Sequence, residues 1–307
     1  MVQYRLGDRT ISLELPDATK KELDFTDSSF FTCPGRQLPT PMQVRALSKD
    51  IGQIPRPKPI KFEELNLIVK FGRHVTTLEA LNLWMVRKVF KDEVPVPEVF
   101  GWRTDDEGYV FIYIELIQGP TLLDHWSSLD VTGKRAFSDQ LSKIVQSLRR
   151  LEQDPFEPFI SSINKHHLQD YIFTTQPKMG PFASVKEFND QFALLHQLPF
   201  PTRYDDPYRA YLPDEVGIKF THADLHRGNI IVSFSSDASS SSGSARLVLV
   251  DWQQAGWYPE YWEYCKALYT CSYEDEWRSE GYIDTVLRPW EDVFLVFSQY
   301  CMAMGSV

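Results

Sequence analysis

The chain has 307 residues, of which 43% are hydrophobic and 14% aromatic, so it can bury the core of one large domain or two lobes. Its net charge of −10 argues against general affinity for nucleic acid, because non-specific binding to a polyanion needs a basic surface. No stretch approaches the roughly 18 apolar residues of a membrane span, and the N-terminus lacks the apolar core of a signal peptide. We therefore expect a soluble, cytoplasmic protein that binds neither nucleic acid nor membrane.

The first predicted elements follow a proline-rich basic run, IPRPKP, which cannot be regular helix. KFEELNLIVKFG predicts two short strands around a tight turn, with Lys70 at the end of the second. RHVTTLEALNLWMVRKVF has apolar residues at helical spacing and predicts a helix. VPVPEVFGW is typical of an extended connector, and YVFIYIEL (109–116) predicts a buried strand that ends at the turn QGP.

Residues 134–153 predict a second long amphipathic helix, and the segment 154–215 is irregular and rich in proline and aromatics. Such a long insert favours a role in shaping a binding pocket. Two apolar strands follow, 229–234 and RLVLVDW, joined by the serine tract 235–245, which predicts a hairpin with a mobile tip. The hairpin would bring Asn229 and Asp251 to the same side.

The stretch FTHADLHRGNIIV concentrates polar side chains ahead of an apolar strand and admits two chemistries. His222, Asp224 and His226 alternate, so on an extended segment they could chelate zinc. A phosphoryl-transfer loop is the other interpretation, and it also uses Asn229. The four cysteines are scattered without a CxxC pair and indicate neither a zinc knuckle nor a disulfide framework.

Phosphoryl transfer needs a carboxylate that orients the attacking hydroxyl, oxygen ligands for Mg²⁺, and a cation on the nucleotide phosphates. Asp224 can supply the carboxylate. Asn229 and Asp251 are oxygen ligands suited to a hard cation, and Lys70 can hold phosphate as a point charge. This interpretation accounts for more of the polar residues than the zinc site does.

The motifs that carry this chemistry resemble those of a known family. HADLHRGNIIV resembles the catalytic loop of the aminoglycoside phosphotransferase and choline kinase families, whose usual form is close to HGDLHxxN. VDWQQAG resembles their metal-binding segment, and LIVKFG resembles the strand that carries their phosphate-binding lysine. VTTLEALNLW resembles the helix whose glutamate pairs with that lysine, and IELIQGPTL resembles the hinge between the lobes. The segments keep the family's order, and the chain is especially similar to a fungal branch that shares IPRPKPIKFE and WYPEYWEYCKA.

The resemblance implies site residues by position: Asp224 as catalytic base, Asn229 and Asp251 as magnesium ligands, and Lys70 as phosphate anchor paired with Glu79. Glu115, in the hinge-like segment, is assigned to the nucleotide site. His226 is assigned to the catalytic site, two positions after the base, and His222 to the scaffold of the loop. One alternative for Glu79 stays open, because Thr76-x-x-Glu79 is also a capping box.

The sequence departs from the pattern of kinases in lacking a glycine-rich loop before Lys70. Segment 36–73 holds eight Lys and Arg against three Asp and Glu, so basic side chains such as Arg56, Lys58 or Lys61 are candidates to replace the missing backbone amides. Gln253 stands where family members often have an acidic residue. The aromatic stretch GWYPEYWEYCKALY favours core packing over a cation-binding acceptor pocket that would use Trp257, Tyr258, Trp262 and Glu263.

The resemblance implies an α+β, bilobal, protein-kinase-like fold, with an N-terminal lobe over 1–115 and a larger, mainly helical lobe over 116–307. Residues 1–75 carry 12 Lys and Arg against 9 Asp and Glu and the remainder 20 against 33. This distribution would suit a phosphate-bearing cosubstrate and a cationic acceptor, and an acidic excess is also typical of an ordinary solvated surface. We therefore expect a Mg²⁺-dependent small-molecule kinase that uses ATP or GTP. A catalytically silent nucleotide-binding or scaffold protein and a nucleotidyl transferase remain alternatives.

Overall fold

The computed structural model describes residues 2–54, 56–234 and 245–305. The strands are β1 (Val2–Leu6), β2 (Arg9–Leu13), β3 (Glu22–Asp24), β4 (Ile60–Phe62), β5 (Leu67–Gly72), β6 (Val99–Thr104), β7 (Val110–Glu115), β8 (Leu151–Gln153), β9 (Ile218–Thr221), β10 (Ile230–Phe234), β11 (Ala245–Leu249) and β12 (Gly256–Pro259). The helices are α1 (Pro41–Leu47), α2 (Thr77–Phe90), α3 (Leu122–Trp126), α4 (Val131–Arg149), α5 (Val185–Leu195), α6 (Trp262–Tyr269), α7 (Glu276–Ser279), α8 (Tyr282–Val286) and α9 (Glu291–Ala303).

The chain forms two compact units that do not follow a single cut in the sequence. One, here called the lysine unit, comprises Leu15–Asp124 and Ile230–Gln253; the other, the loop unit, comprises the described parts of Met1–Glu14, His125–Asn229 and Gln254–Val307. This division differs from the expected boundary after residue 115. Strand β1 pairs with β8, so the N-terminal residues join the loop unit.

The lysine unit is built on an antiparallel sheet in the order β3-β6-β7-β5-β4. Strand β5 alternates, with Leu67, Val69 and Phe71 on one face and Ile68 and Lys70 on the other, as the period of two requires. Both predicted strands of KFEELNLIVKFG are present and pair through Ile60 and Val69. The prediction that VPVPEVFGW is an extended connector is partly wrong, because its last residues form β6, which pairs with β7.

One face of this sheet is covered by residues that precede the kinase-like motifs. Phe30, Leu38 and Val44 are buried with Leu67 and Val69 of β5 in one hydrophobic cluster. Helix α1 begins with a capping box in which Thr40 accepts from the backbone of Gln43. The poorly patterned N-terminal sequence therefore covers one face of the sheet. Lys70 lies on the opposite face.

The predicted hairpin is present in the lysine unit, where β10 and β11 pair antiparallel with Ile230 opposite Leu249. The interpretation of the serine tract as a mobile tip concerns residues 235–244, which lie outside the described residues. The turn QGP packs against β10: Gly119 has φ +139°, and a Cβ there would overlap the carbonyl oxygen of Val232. Only glycine permits this close approach, which lets the Val232 N–H donate to the Pro120 carbonyl at 2.9 Å.

The loop unit is mainly helical, with an aromatic core around Trp262, which packs against Phe188, Phe192 and Phe297. The helix predicted over 134–153 begins earlier, at the N-cap Asp130, and ends at Arg149. Its last predicted residues instead form β8, because Leu151 pairs with Leu6 across the sheet. The insert 154–215, expected to be irregular, contains α5, capped by Ser184. Among the described residues, no helix is long and apolar enough to cross a membrane.

Candidate active site

The lysine unit brings together three charged side chains, one of which lies 181 residues after Lys70 in the sequence. Lys70 leaves β5 on the face opposite the hydrophobic cluster, and its Nζ lies 3.0 and 2.8 Å from the two carboxylate oxygens of Glu79 on α2. The same Nζ lies 2.6 Å from Oδ1 of Asp251, just after β11. Glu79 is buried, whereas about a third (32%) of the Asp251 side chain is exposed. The predicted pairing of Lys70 with Glu79 is therefore present, and Asp251 joins it.

Two carboxylates share one ammonium group here, and this excess of negative charge shapes the electrostatics. Burial alone would lower the pKa of Lys70, but the charges of Glu79 and Asp251 outweigh it and raise that pKa. Burial also raises the pKa of Glu79, with Lys70 opposing the rise and Asp251 adding to it. Lys70 is thus firmly cationic, and the group as a whole favours an additional cation.

The capping-box alternative for Glu79 is wrong. Thr76 occupies the N-cap position of α2, but its side chain makes no capping hydrogen bond. The glutamate instead turns toward Lys70 and Asp251, since an ammonium group in a buried site is a stronger partner than the helix N-terminus.

The segment after Asp251 is fastened to the start of α2 by side chains that the sequence pattern did not assign. Asn82 Nδ2 donates to the carbonyl of Trp252 at 2.8 Å. Gln253, which departs from the family's acidic residue, donates from Nε2 to the carbonyl of His74 at 2.7 Å. A neutral amide can donate this bond and a carboxylate cannot, so the substitution suits the contact.

The loop unit carries the residues that were predicted to form a catalytic loop, between β9 and β10 in the sequence; this segment, 222–229, is called the catalytic loop below. Asn229 Nδ2 donates to the carbonyl oxygen of Asp224 at 3.0 Å and to its Oδ2 at 3.1 Å. These two bonds fix the carboxylate and use the nitrogen end of the amide, so they leave the Asn229 oxygen end available as a ligand atom.

His226 lies beside Asp224, with Nε2 3.9 Å from Oδ1 of the carboxylate. Its Nδ1 accepts the N–H of Gly228 at 3.1 Å, which places the proton of the neutral ring on Nε2, toward Asp224. A Cβ at Gly228 would come within 2.9 Å of the imidazole, so glycine is needed for this packing. His222 is fully buried and its Nδ1 accepts the Asp224 N–H at 3.3 Å, as expected of a scaffold residue.

The zinc alternative has no support in the folded loop. Among the residues that the structure describes, no group of three or more His, Cys, Asp and Glu side chains could hold a metal ion. His222, Asp224 and His226 alternate in the sequence, but the segment is not extended and they do not share one face. The chain turns here, since Ala223 has φ +64° and the His226 N–H donates to the Asp224 carbonyl at 3.1 Å.

Glu263 on α6 holds the catalytic loop from behind, a role that sequence reasoning missed. Its buried carboxylate accepts the backbone N–H groups of His222 at 2.7 Å and of Ala223 at 3.0 Å. Ala223 adopts the left-handed conformation that disfavours side chains, at the position where the family form HGDLH has glycine. The only sequence signal was an acidic residue within an apolar aromatic helix, which indicates a buried partner without naming it.

A second anchor follows the loop. Arg227 pairs with Asp275 and stacks over Trp126 and Trp277, with its guanidinium carbon 5.0 and 5.7 Å from the two ring centroids. The side chain is buried, so this ion pair and the aromatic contacts fix the loop between Asp224 and β10.

Glu115 and the aromatic stretch GWYPEYWEYCKALY are the remaining parts of the predicted site. Glu115, the last residue of β7, accepts the backbone N–H of Glu98 at 3.1 Å, so its carboxylate closes the edge of β6 and β7. Trp257, Tyr258, Trp262 and Glu263 are all buried, which confirms core packing as the role of the aromatic stretch.

No glycine-rich hairpin covers Lys70 in the part of the chain that the structure describes. Strand β4 is only three residues long and is the edge of the sheet. Lys61 in β4 is exposed and, opposite Ile68, points to the same face as Lys70; Arg56 and Lys58 are exposed in the preceding segment.

The model of the phosphotransferase enzyme family matches residues 62–294, most of the chain, and the chain belongs to that family. No curated protein matches the chain significantly. Among solved structures, the GDP and kanamycin complex of APH(2")-IIia has a TM-score of 0.50 at 14% identity and covers 81% of each chain. A thermostable mutant of aminoglycoside phosphotransferase APH(4)-Ia has a TM-score of 0.45 at 17% identity, over 78% of this chain and 77% of that one. The first likeness confirms the expected α+β, kinase-like fold.

Proposed function

We propose that this member of the phosphotransferase family transfers the γ-phosphate of ATP or GTP to a hydroxyl group of a small molecule in the cytoplasm. The observation that carries the proposal is the arrangement of Lys70, Glu79 and Asp251, in which a buried carboxylate orients a lysine whose ammonium group also contacts a partly exposed carboxylate. A structural ion pair would need only one carboxylate, whereas a phosphate anchor with an adjacent cation ligand needs both.

In the proposed reaction, the acceptor oxygen forms a bond to the γ-phosphorus while the bond to the leaving diphosphate breaks. The proton of the acceptor hydroxyl passes to the Asp224 carboxylate, which Asn229 holds in place at 3.1 Å. His226, whose Nε2 lies 3.9 Å from Oδ1 of the same carboxylate, is assigned to contact the transferred phosphate. Lys70 holds phosphate oxygens, and Glu115 closes the hinge side of the nucleotide site. Catalysis comes from positioning and charge.

Mg²⁺ would be held by Asp251 and Asn229. The donors suit it, since both offer oxygen and the excess carboxylate charge around Lys70 favours a divalent cation. When bound, Mg²⁺ neutralises phosphate charge.

The acceptor is proposed to bind at the insert 154–215. A cationic acceptor was predicted from the acidic surplus, but several acidic side chains of the insert are already engaged. Asp170 is fully buried against Lys266, and Asp190 and Asp214 both pair with Arg209. A cationic acceptor would therefore have to use other carboxylates, and we propose only a hydroxyl-bearing small molecule.

A thermal-shift titration with ATP and GTP, each with and without Mg²⁺, tests the nucleotide half of the proposal. Binding to the native state at 100 times Kd adds about 2.7 kcal/mol to the free energy of unfolding. We expect Mg²⁺-dependent stabilisation that disappears in Asp251→Asn and persists in Asp92→Asn, an exposed carboxylate of the same unit. The absence of any shift at every nucleotide concentration would contradict the proposal.

A catalytically silent protein is the second candidate, favoured by the short edge strand β4 in place of a glycine-rich hairpin. Without that hairpin, fewer backbone N–H groups reach the phosphates. Exposed Lys61 on the face of Lys70 would supply a charge there instead. Nucleotide stabilisation without any phosphate transfer would select this candidate.

A further inference from the structure

The loop unit contains a cavity that the proposed reaction does not use. Its volume is about 440 Å³, and it is lined by the end of α4, by β9, by α6 and α8 and by the chain that follows α8. Small-molecule sites typically measure about 300–1,000 Å³ and combine an apolar lining with a few polar groups. Tyr264, Val286 and Trp290 supply apolar surface here. The cavity is therefore large enough for a small metabolite.

The polar groups of this cavity are mostly cationic. Its lining includes four basic residues, Arg149, Arg150, Lys219 and Arg288, against the two acidic residues Glu260 and Asp284. This surplus of positive charge occurs in a chain whose net charge is −10. A local field opposite in sign to that of the whole protein attracts anions to this place.

Arg149 is the least compensated of these cations. Its guanidinium group donates one hydrogen bond, from Nη1 to the carbonyl of Glu260 at 3.3 Å, and within the described residues no carboxylate lies within 4.0 Å of it. A guanidinium group carries five N–H donors, so most of them lack a protein acceptor. Burial lowers the pKa of Arg149, and the charges of Glu263 and Glu260 only partly oppose this. An anion would supply the missing acceptors.

Lys219 and Arg288, two other cations of the cavity, have long ion-pair distances. Lys219 lies 3.6 Å from Glu152, and Arg288 lies 3.5 Å from Glu260 with its guanidinium stacked 4.6 Å from the ring centroid of Trp290. Buried ion pairs of the same unit are tighter, at 2.7 Å for Lys266 and Asp170. Looser pairs exchange partners at less cost, so these side chains can turn to a ligand.

We propose that this cavity binds a small organic anion, with Arg149 and Arg288 on its phosphate or carboxylate group and Trp290 on its apolar body. The site is separate from the residues of phosphate transfer. Arg149 donates to the carbonyl of Glu260, three residues before Glu263, whose carboxylate accepts the backbone N–H groups of His222 and Ala223.

Calorimetric titration of the full chain with phenyl phosphate and with benzoate tests the proposal, and phenol and benzylamine serve as neutral and cationic probes. We expect saturable binding of at least one anion and none of the other two probes. Arg149→Met and Arg288→Gln should each weaken binding about tenfold, as expected for the loss of a charge-assisted contact. Arg246→Gln is the matched control, an exposed arginine of the lysine unit with one carboxylate partner, and should leave binding unchanged.

Hydrogen–deuterium exchange then locates the bound probe. Protection should appear over residues 142–150 and 284–290. If Arg149→Met does not fold, Arg288→Gln still decides the matter, because that side chain is 70% exposed. No saturation at millimolar anion, an affinity unchanged from the wild type in both cavity variants, or protection centred on Lys70 would each overturn the proposal.

Discussion

Replacing Glu263 with glutamine tests whether this residue holds the catalytic loop. The carboxylate accepts two backbone N–H groups, from His222 at 2.7 Å and from Ala223 at 3.0 Å, in a site with 1% exposure. Glutamine keeps the shape but offers one acceptor oxygen, and its amide nitrogen faces the second N–H. A hydrogen bond to a charged group contributes about 1.5–3 kcal/mol, and loss of its acceptor leaves a buried donor unpaired. We therefore expect Glu263→Gln to lower the free energy of unfolding by about 2 kcal/mol.

Urea denaturation of Glu263→Gln beside Glu260→Gln measures this effect. Glu260 lies three residues before Glu263, in the turn that precedes α6, and its carbonyl accepts from Arg149. Its carboxylate lies 3.5 Å from Arg288. The control should lose less than about 0.5 kcal/mol of unfolding free energy, as is usual away from buried networks. Thermal melts should separate the two variants by roughly 2–3 °C, because a chain of 307 residues has a large entropy of unfolding. Equal stability of the two variants would refute the claim that Glu263 anchors the loop.

Three further changes have defined outcomes. Ala223→Gly should raise the free energy of unfolding by about 0.5–1 kcal/mol, because relief of the left-handed conformation exceeds the entropy cost of glycine; a measured loss in urea would contradict the assigned φ of +64°. Gly119→Ala should lower the free energy of unfolding by about 3 kcal/mol, since the alanine Cβ would overlap the Val232 carbonyl. A melting temperature near that of the wild type would contradict that packing. Burial lowers the pKa of His196 from 6.5, with Asp206 opposing, so the unfolded chain binds more protons and stability falls as pH drops below 6.5. His196→Gln should flatten this part of the stability profile measured between about pH 7 and 5.5, and an unchanged slope would contradict the assignment.

The sequence predicts the parts of the site that depend on local pattern. Strand β5 with Lys70, helix α2 with Glu79, and the hairpin before Asp251 each have a regular apolar period, and all are present. The pairing of Lys70 with Glu79 is implied by the family resemblance, whereas the contact of Asp251 with the same ammonium group comes from tertiary packing.

The rest depends on contacts between distant segments. Strand β1 is short and irregular by itself, and it forms because it pairs with β2 and with β8, far along the chain. Glu263 meets backbone N–H groups some forty residues away, and a backbone donor has no signature in the sequence. Phe30 and Val44 pack on the sheet through tertiary contacts, which local sequence pattern does not predict.

The most direct test of the account is to incubate the protein with Mg²⁺, γ-labelled nucleotide and a metabolite extract. We predict label on a small molecule with the wild type. Asp224→Ala should lose this transfer by orders of magnitude while it still binds nucleotide, because Asp224 serves the acceptor hydroxyl. Label found only on protein or only as free phosphate, or attachment of α-labelled nucleotide, would contradict transfer of the γ-phosphate to a small molecule.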